Sequence, residues 1–162
     1  EELAGQEMED VRNLRGEIAA TRAITNTLSR NFEPELVKEW AQSALDWLRP
    51  DNVSYRGLVF GVLGTAAMQQ GAVSWAVENF AEAATISRAA GHEYIAIATA
   101  FHLSNMQRAR GALTQAIATC QQVLDWAAAQ GAQHLAQCEG GRRRDGMGIA
   151  CRWTCVFFLW KK

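Results

Sequence analysis

Proline is almost missing from this chain. Only Pro34 and Pro50 occur in 162 residues, and neither falls inside a long apolar-periodic stretch, so nothing interrupts extended helices there. Charge of one sign is missing too. The formal net charge is −1, which leaves no global field to draw nucleic acid or an acidic membrane surface, and no direct nucleic-acid contact is expected. No window supplies the ~20 consecutive apolar residues that a membrane helix needs. The chain opens on Glu1 and Glu2, with neither the basic nor the apolar region of a signal peptide, and without an initiating Met it reads as a fragment or processed product. Cysteine is confined to Cys120, Cys138, Cys151 and Cys155. These absences point to a reducing cytoplasm and free thiols. No G-x-x-x-x-G-K-[ST] loop is present to cradle nucleotide phosphates, and no cofactor is expected.

What the chain has is alanine and a period. Hydrophobic residues make up 49% and charged residues 20%, the balance of an ordered globular protein, and alanine is the strongest helix former. Shifted on itself by about 40 residues, the sequence superimposes Gly71 on Gly111, Ala76 on Ala116 and Gly91 on Gly131. Phe80 falls on Cys120 and, one period earlier, on Trp40; Thr65 sits between Thr25 and Asn105. A fixed period of this size marks stacked supersecondary units.

Within one unit, two helical patterns alternate with a glycine break. Leu58, Val62, Leu63, Ala66 and Ala67 recur at helical spacing, then Gly71 ends the run. Ala76, Val77, Phe80, Ala84 and Ile86 form a second stripe, ended by Gly91. Glycine past a helix end tolerates the left-handed conformation that closes it. The spacing predicts helices over 9–29, 35–48, 53–70, 73–90, 93–110 and 113–130, with a seventh starting near Gln133. The chain is thus all-α, three hairpins and the start of a fourth over residues 1–138. Gly64 and Ala76 are expected at the closest approach within a hairpin, with Phe80 filling the gap and Ala83 or Ala84 making room for the next unit.

The pattern stops after Cys138. Residues 139–162 carry six basic and two acidic residues, against ten and fifteen before them, and Gly140-Gly141-Arg142-Arg143-Arg144 cannot continue a helix. Three readings of this tail stand open. It is a non-native end, an apolar cap over residues 149–160, or part of a metal site with His134 and Cys138 set against Cys151 and Cys155 at permissible zinc spacing.

Leu63-Gly64, Gly71, Ala76, Phe80 and Ala83 follow the tetratricopeptide consensus spacing. Arg15-Gly16-Glu17-Ile18-Ala19, Tyr55-Arg56-Gly57-Leu58 and Ser87-Arg88-Ala89-Ala90-Gly91-His92 resemble the helical-repeat sensor region of MalT-like, ATP-dependent LuxR-type transcriptional regulators. The resemblance covers roughly residues 8–138. It implies an αα-superhelix of tetratricopeptide-like hairpins that senses an inducer or partner on behalf of nucleotide-binding and DNA-binding modules. A stand-alone scaffold for protein–protein interaction is the alternative.

In such a stack the first helix of each hairpin lines the concave face. That places three columns there: Thr21, Gly61 and Phe101; Thr25, Thr65 and Asn105; and Leu28, Met68 and Arg108, with Gln69 beside Met68. Hydroxyl and amide groups, an apolar floor and one guanidinium suit a small polar ligand or an extended peptide. Arg108 is suited to clamping a carboxylate or phosphate. His92 is expected only to mark a turn, and His102 to be a packed histidine. The four tryptophans Trp40, Trp47, Trp75 and Trp126 are explained by stacking between hairpins. The carboxylate pairs Glu35 with Glu39 and Glu78 with Glu82 follow i, i+4 spacing and read as solvated faces, so no enzymatic activity is expected. Open solenoid ends leave apolar faces that favour self-association.

Overall fold

The computed structural model describes residues 2–129, and the seventh helix and the tail lie outside them. Six helices follow one another: α1 (Glu2–Thr27), α2 (Pro34–Trp47), α3 (Val53–Gln69), α4 (Val73–Ala89), α5 (Glu93–Ala109) and α6 (Leu113–Ala129). Each packs antiparallel-hairpin fashion on the next, and α1 also lies against α3, as α3 does against α5. First helices thus line up side by side, while second helices are less closely associated with each other. That asymmetry is what bends a stack of hairpins into a superhelix.

Local chemistry fixes the helix ends. Gly71, Gly91 and Gly111 adopt φ of 72°, 71° and 82°, a region that costs glycine little. Around each, the chain closes a Schellman motif. Ala72 N–H donates to the Ala67 carbonyl at 2.9 Å, His92 to Ser87 at 2.9 Å, and Ala112 to Gln107 at 2.8 Å. Pro34 opens α2, where its missing N–H is no loss. The largest departure from expectation is α1, which begins at Glu2 rather than Glu9. Its added turns are rich in Glu, Ala, Leu, Gln and Met, all good helix formers.

The core is built from small residues against a few large ones. Ala76, Phe80, Ala83 and Ala84 are buried as expected, with Phe80 only 1% exposed. A Cβ on Gly64 would lie 2.7 Å from two ring atoms of Phe80, so the α3–α4 approach depends on glycine there. Phe80 also stacks on His102 of α5, with ring centroids 5.1 Å apart and planes inclined by 16°. Trp75 is half-buried and carries Lys38 Nζ 5.0 Å from its ring centroid, which ties α4 to α2.

The repeat register is less uniform than a constant 40. Gly16 faces Leu48 across the first hairpin as Gly57 faces Ser87 across the second. Asn52, preceding α3, reaches back to Asn13 at 3.2 Å, as His92, preceding α5, reaches Ser54 at 2.8 Å. From the first hairpin to the second, the spacing is therefore 41 in first helices and 39 in second helices. Trp40 is not the counterpart of Phe80: Ala41 is, fully buried beside Val37 and Ala44, whereas Trp40 is half-buried. The six-residue α1–α2 connection, against three residues after α3 and α5, accounts for the shift.

Candidate functional site

One stripe of α3 carries Leu58, Gly61, Thr65, Met68 and Gln69, with Met68 also packed against the cluster of Ala76, Phe80 and Leu103. These recur at the three- and four-residue steps that keep side chains on one helix face. All are half-buried or exposed. On α5, one 40-residue step on, the same stripe carries Ala98, Phe101, Asn105, Arg108 and Ala109, likewise half-buried or exposed. Gly61 sits at the α3–α5 seam, where a Cβ would come 3.5 Å from Thr99 Cγ2 of α5. That is ordinary van der Waals distance, and the two stripes adjoin at this seam.

Seven of the nine residues singled out in the sequence thus share this surface: Gly61, Thr65, Met68, Gln69, Phe101, Asn105 and Arg108. Thr21 and Thr25 do not fall on the matching stripe. With the 41-residue register their counterparts on α3 are Val62 and Ala66, which face α2, and both threonines are exposed. The constant period of 40 had placed them one position away from Ala20 and Ile24, the true counterparts of Gly61 and Thr65.

The surface carries a small set of polar groups beside one aromatic ring. Thr65 Oγ1 donates to the Gly61 carbonyl at 3.0 Å, so its proton is spoken for and its lone pairs face outward as acceptors. Asn105 offers both donor and acceptor, and exposed Arg108 offers the only formal charge on the stripe. Phe101 meets His102 edge-on with centroids 5.4 Å apart, which supplies a rigid aromatic wall. Desolvation by burial lowers the pKa of His102 below its ordinary 6.5, so at neutral pH the imidazole behind that wall is uncharged.

Two hollows lie elsewhere. One, about 90 Å³, opens between α4 and α6 over α5, lined by Ala84, Arg88, Ala100, Leu103, Thr119 and Gln122. Sequence reasoning missed it, since only the splaying of two second helices creates it. It is the size of a few water molecules. The other is a broad depression of about 720 Å³ along α2, with Glu33, Glu35, Glu39 and Asp46 around Lys38, a solvated acidic helix face. Neither coincides with the α3–α5 stripe. Helical-repeat proteins bind on extended surfaces rather than in closed cavities, so the stripe remains the stronger candidate.

Polar clasps between hairpins were also invisible in sequence. Asn52 Nδ2 donates to Glu17 Oε1 at 2.9 Å as well as to Asn13, and the Arg49 N–H donates to Asn13 Oδ1 at 3.0 Å. The only available signal was the recurrence of a polar residue before α3 and before α5. Among the described residues no group of three or more metal-ligating side chains converges, and the His134 and cysteine series lies outside them. No described helix is long and apolar enough to cross a membrane.

No curated protein and no solved structure matches the chain. The family model of the MalT-like TPR region matches residues 16–143, which takes in all of α2 to α6 and the C-terminal part of α1. The all-helical stack of hairpins agrees with that match, and tetratricopeptide-type repeats are in general non-catalytic. This chain belongs to the MalT-like TPR region family.

Proposed function

We propose that the chain is the sensing segment of a LuxR-type transcriptional regulator working in the cytoplasm, non-catalytic, with its ligand held on the α3–α5 stripe. The observation that supports this most is the continuity of Gly61, Thr65, Met68 and Gln69 with Phe101, Asn105 and Arg108 on adjoining first helices. An inducer with a carboxylate or phosphate and several hydroxyl or amide donors fits this set: Arg108 takes the anion, Thr65 and Asn105 take the donors, and Phe101 takes an apolar face. The output is a free-energy difference between two shapes of the stack, sensed by attached modules.

A thermal-shift screen of anionic metabolites and of short acidic peptides, on the full chain, tests the reading. Compounds that raise the melting temperature should lose that effect in the Asn105→Ala, Arg108→Ala double variant, whose own melting temperature stays close to the parent's. A double variant that unfolds would make these residues structural, and hits that survive the substitutions would place the site elsewhere.

A further inference from the structure

The two joints of the stack are built differently, and the repeat register sets them side by side residue by residue. Between the first hairpin (α1–α2) and the second (α3–α4), Asn52 Nδ2 donates to Asn13 Oδ1 at 3.2 Å and to Glu17 Oε1 at 2.9 Å. Gln70 Nε2 donates to Glu35 Oε1 at 2.6 Å, and Lys38 lies over the Trp75 ring. Beneath these ties one apolar cluster runs through both hairpins, from Ala19 and Ala41 to Val62 and Ala66.

Little of this recurs at the joint between the second hairpin and the third (α5–α6), although both of its sides lie within the described residues. His92 and Ser54 stand where Asn52 and Asn13 do, and their contact at 2.8 Å is retained. Leu58 stands in place of Glu17 and has no group to accept a hydrogen bond. Arg110 replaces Gln70 and donates instead to Gln115 of its own hairpin, at 2.9 Å. Val77 and Gln115 replace Lys38 and Trp75, so no cation meets a ring. The apolar cluster that crosses this joint takes Leu103 as its one buried member from the third hairpin, with Met106 at its edge. His102 adds its stack on Phe80.

Where the ties are few, the stack is also hollow. The cleft of about 90 Å³ between α4 and α6 lies on the second-helix side of this joint, and the α3–α5 stripe crosses the joint on the first-helix side. Among the described residues no hydrogen bond spans the cleft. Arg88 Nε and the Thr85 hydroxyl donate to the Ala84 and Ala81 carbonyls of their own helix, and Thr119 donates to Gln107 of α5. Hinges form where few contacts must be exchanged. We infer that the stack is hinged between its second and third hairpins, with the first and second moving as one body. Bending at this joint widens the cleft as it narrows the stripe. A ligand spanning α3 and α5 favours one bend over the other; that use rests on ligand binding at the stripe, whereas the hinge rests on the contacts alone.

Residual dipolar couplings of the backbone N–H groups, measured on the full chain without any ligand, test the hinge. Helices α1 to α4 should fit one alignment tensor, and α5 and α6 should need another with a lower degree of order. Ser54→Ala removes the one polar clasp, and should lower the order of α5 and α6 further while leaving α1 to α4 unchanged. A single tensor for all six helices of the unsubstituted chain overturns the inference, and so does a division between α2 and α3. A Ser54→Ala chain whose α5 and α6 keep the parent's order overturns it as well. Because no ligand is present, any of these failures leaves the reading of the stripe untouched, and a stripe that binds nothing leaves the hinge standing.

Discussion

The first and second hairpins solve one packing problem in two ways. In the second, α3 and α4 meet through Gly64 and Phe80, an empty position against a ring. In the first, the register-matched residues are Ala23 and Ala41, both fully buried, two small residues sharing the space. The tightest point of the first hairpin is instead Gly16, where a Cβ would lie 2.7 Å from the Leu48 backbone nitrogen. A Cβ on its counterpart Gly57 would press on the Ser87 hydroxyl, at 2.9 Å, and otherwise reach only ordinary contact with the Ile86 side chain, at 3.5 Å. A contact with backbone cannot relax, and a contact with a short side chain can. The second hairpin thus keeps its tight spot in side chains and the first keeps it in the main chain.

Substitutions graded along that contrast should separate the two arrangements in urea unfolding. Phe80→Ala removes the ring that fills Gly64 and stacks on His102, and should cost about 3–5 kcal/mol. Gly16→Ala should follow at about 2–3 kcal/mol, because Leu48 N cannot move without unseating the end of α2. Gly64→Ala presses on the Phe80 ring and should cost about 1–2 kcal/mol, after the helix-propensity gain of alanine; Phe80→Leu in the same chain should recover part of that loss. Gly57→Ala should fall within about 0.5 kcal/mol of the parent, since the buried Ser87 hydroxyl has no hydrogen-bond partner to hold it in place. If Gly16→Ala proves as mild as Gly57→Ala, the distinction between main-chain and side-chain contact fails.

The smallest effect sharpens the comparison from the α5 side of Phe80. His102 has a folded-state pKa depressed by burial. Its contribution is fully present above the unfolded value of 6.5 and is lost as pH falls through the lower folded value, because the unfolded chain takes up the proton first. The melting temperature should therefore decline on acidification below about pH 6.5, and His102→Phe, which keeps a stacked ring, should flatten that decline.

The fold was legible wherever a residue's backbone chemistry carried the message. Gly71 and Gly91 announce left-handed helix ends because few other residues go there cheaply, and Gly64 with Phe80 announces a close approach because one supplies the space the other fills. The register of α1 was not legible. A longer first connection shifts first helices to a spacing of 41 and second helices to 39, whereas the 40 that self-comparison detects holds between the second and third hairpins. Thr21 and Thr25 went to the wrong column for this reason, and Trp40 was matched to Phe80 in place of Ala41. The clasp between His92 and Ser54 depends on where two hairpins meet, which no local pattern records.

The central claim is that binding takes place on the first helices. Hydrogen–deuterium exchange on the full chain, with and without a compound that raises its melting temperature, tests it most directly. The account predicts added protection over residues 58–69 of α3 and 98–109 of α5, with α4 and α6 unchanged. Protection centred instead on Arg88 of α4 and on Thr119 and Gln122 of α6 would contradict it, and would move the site to the cleft between second helices.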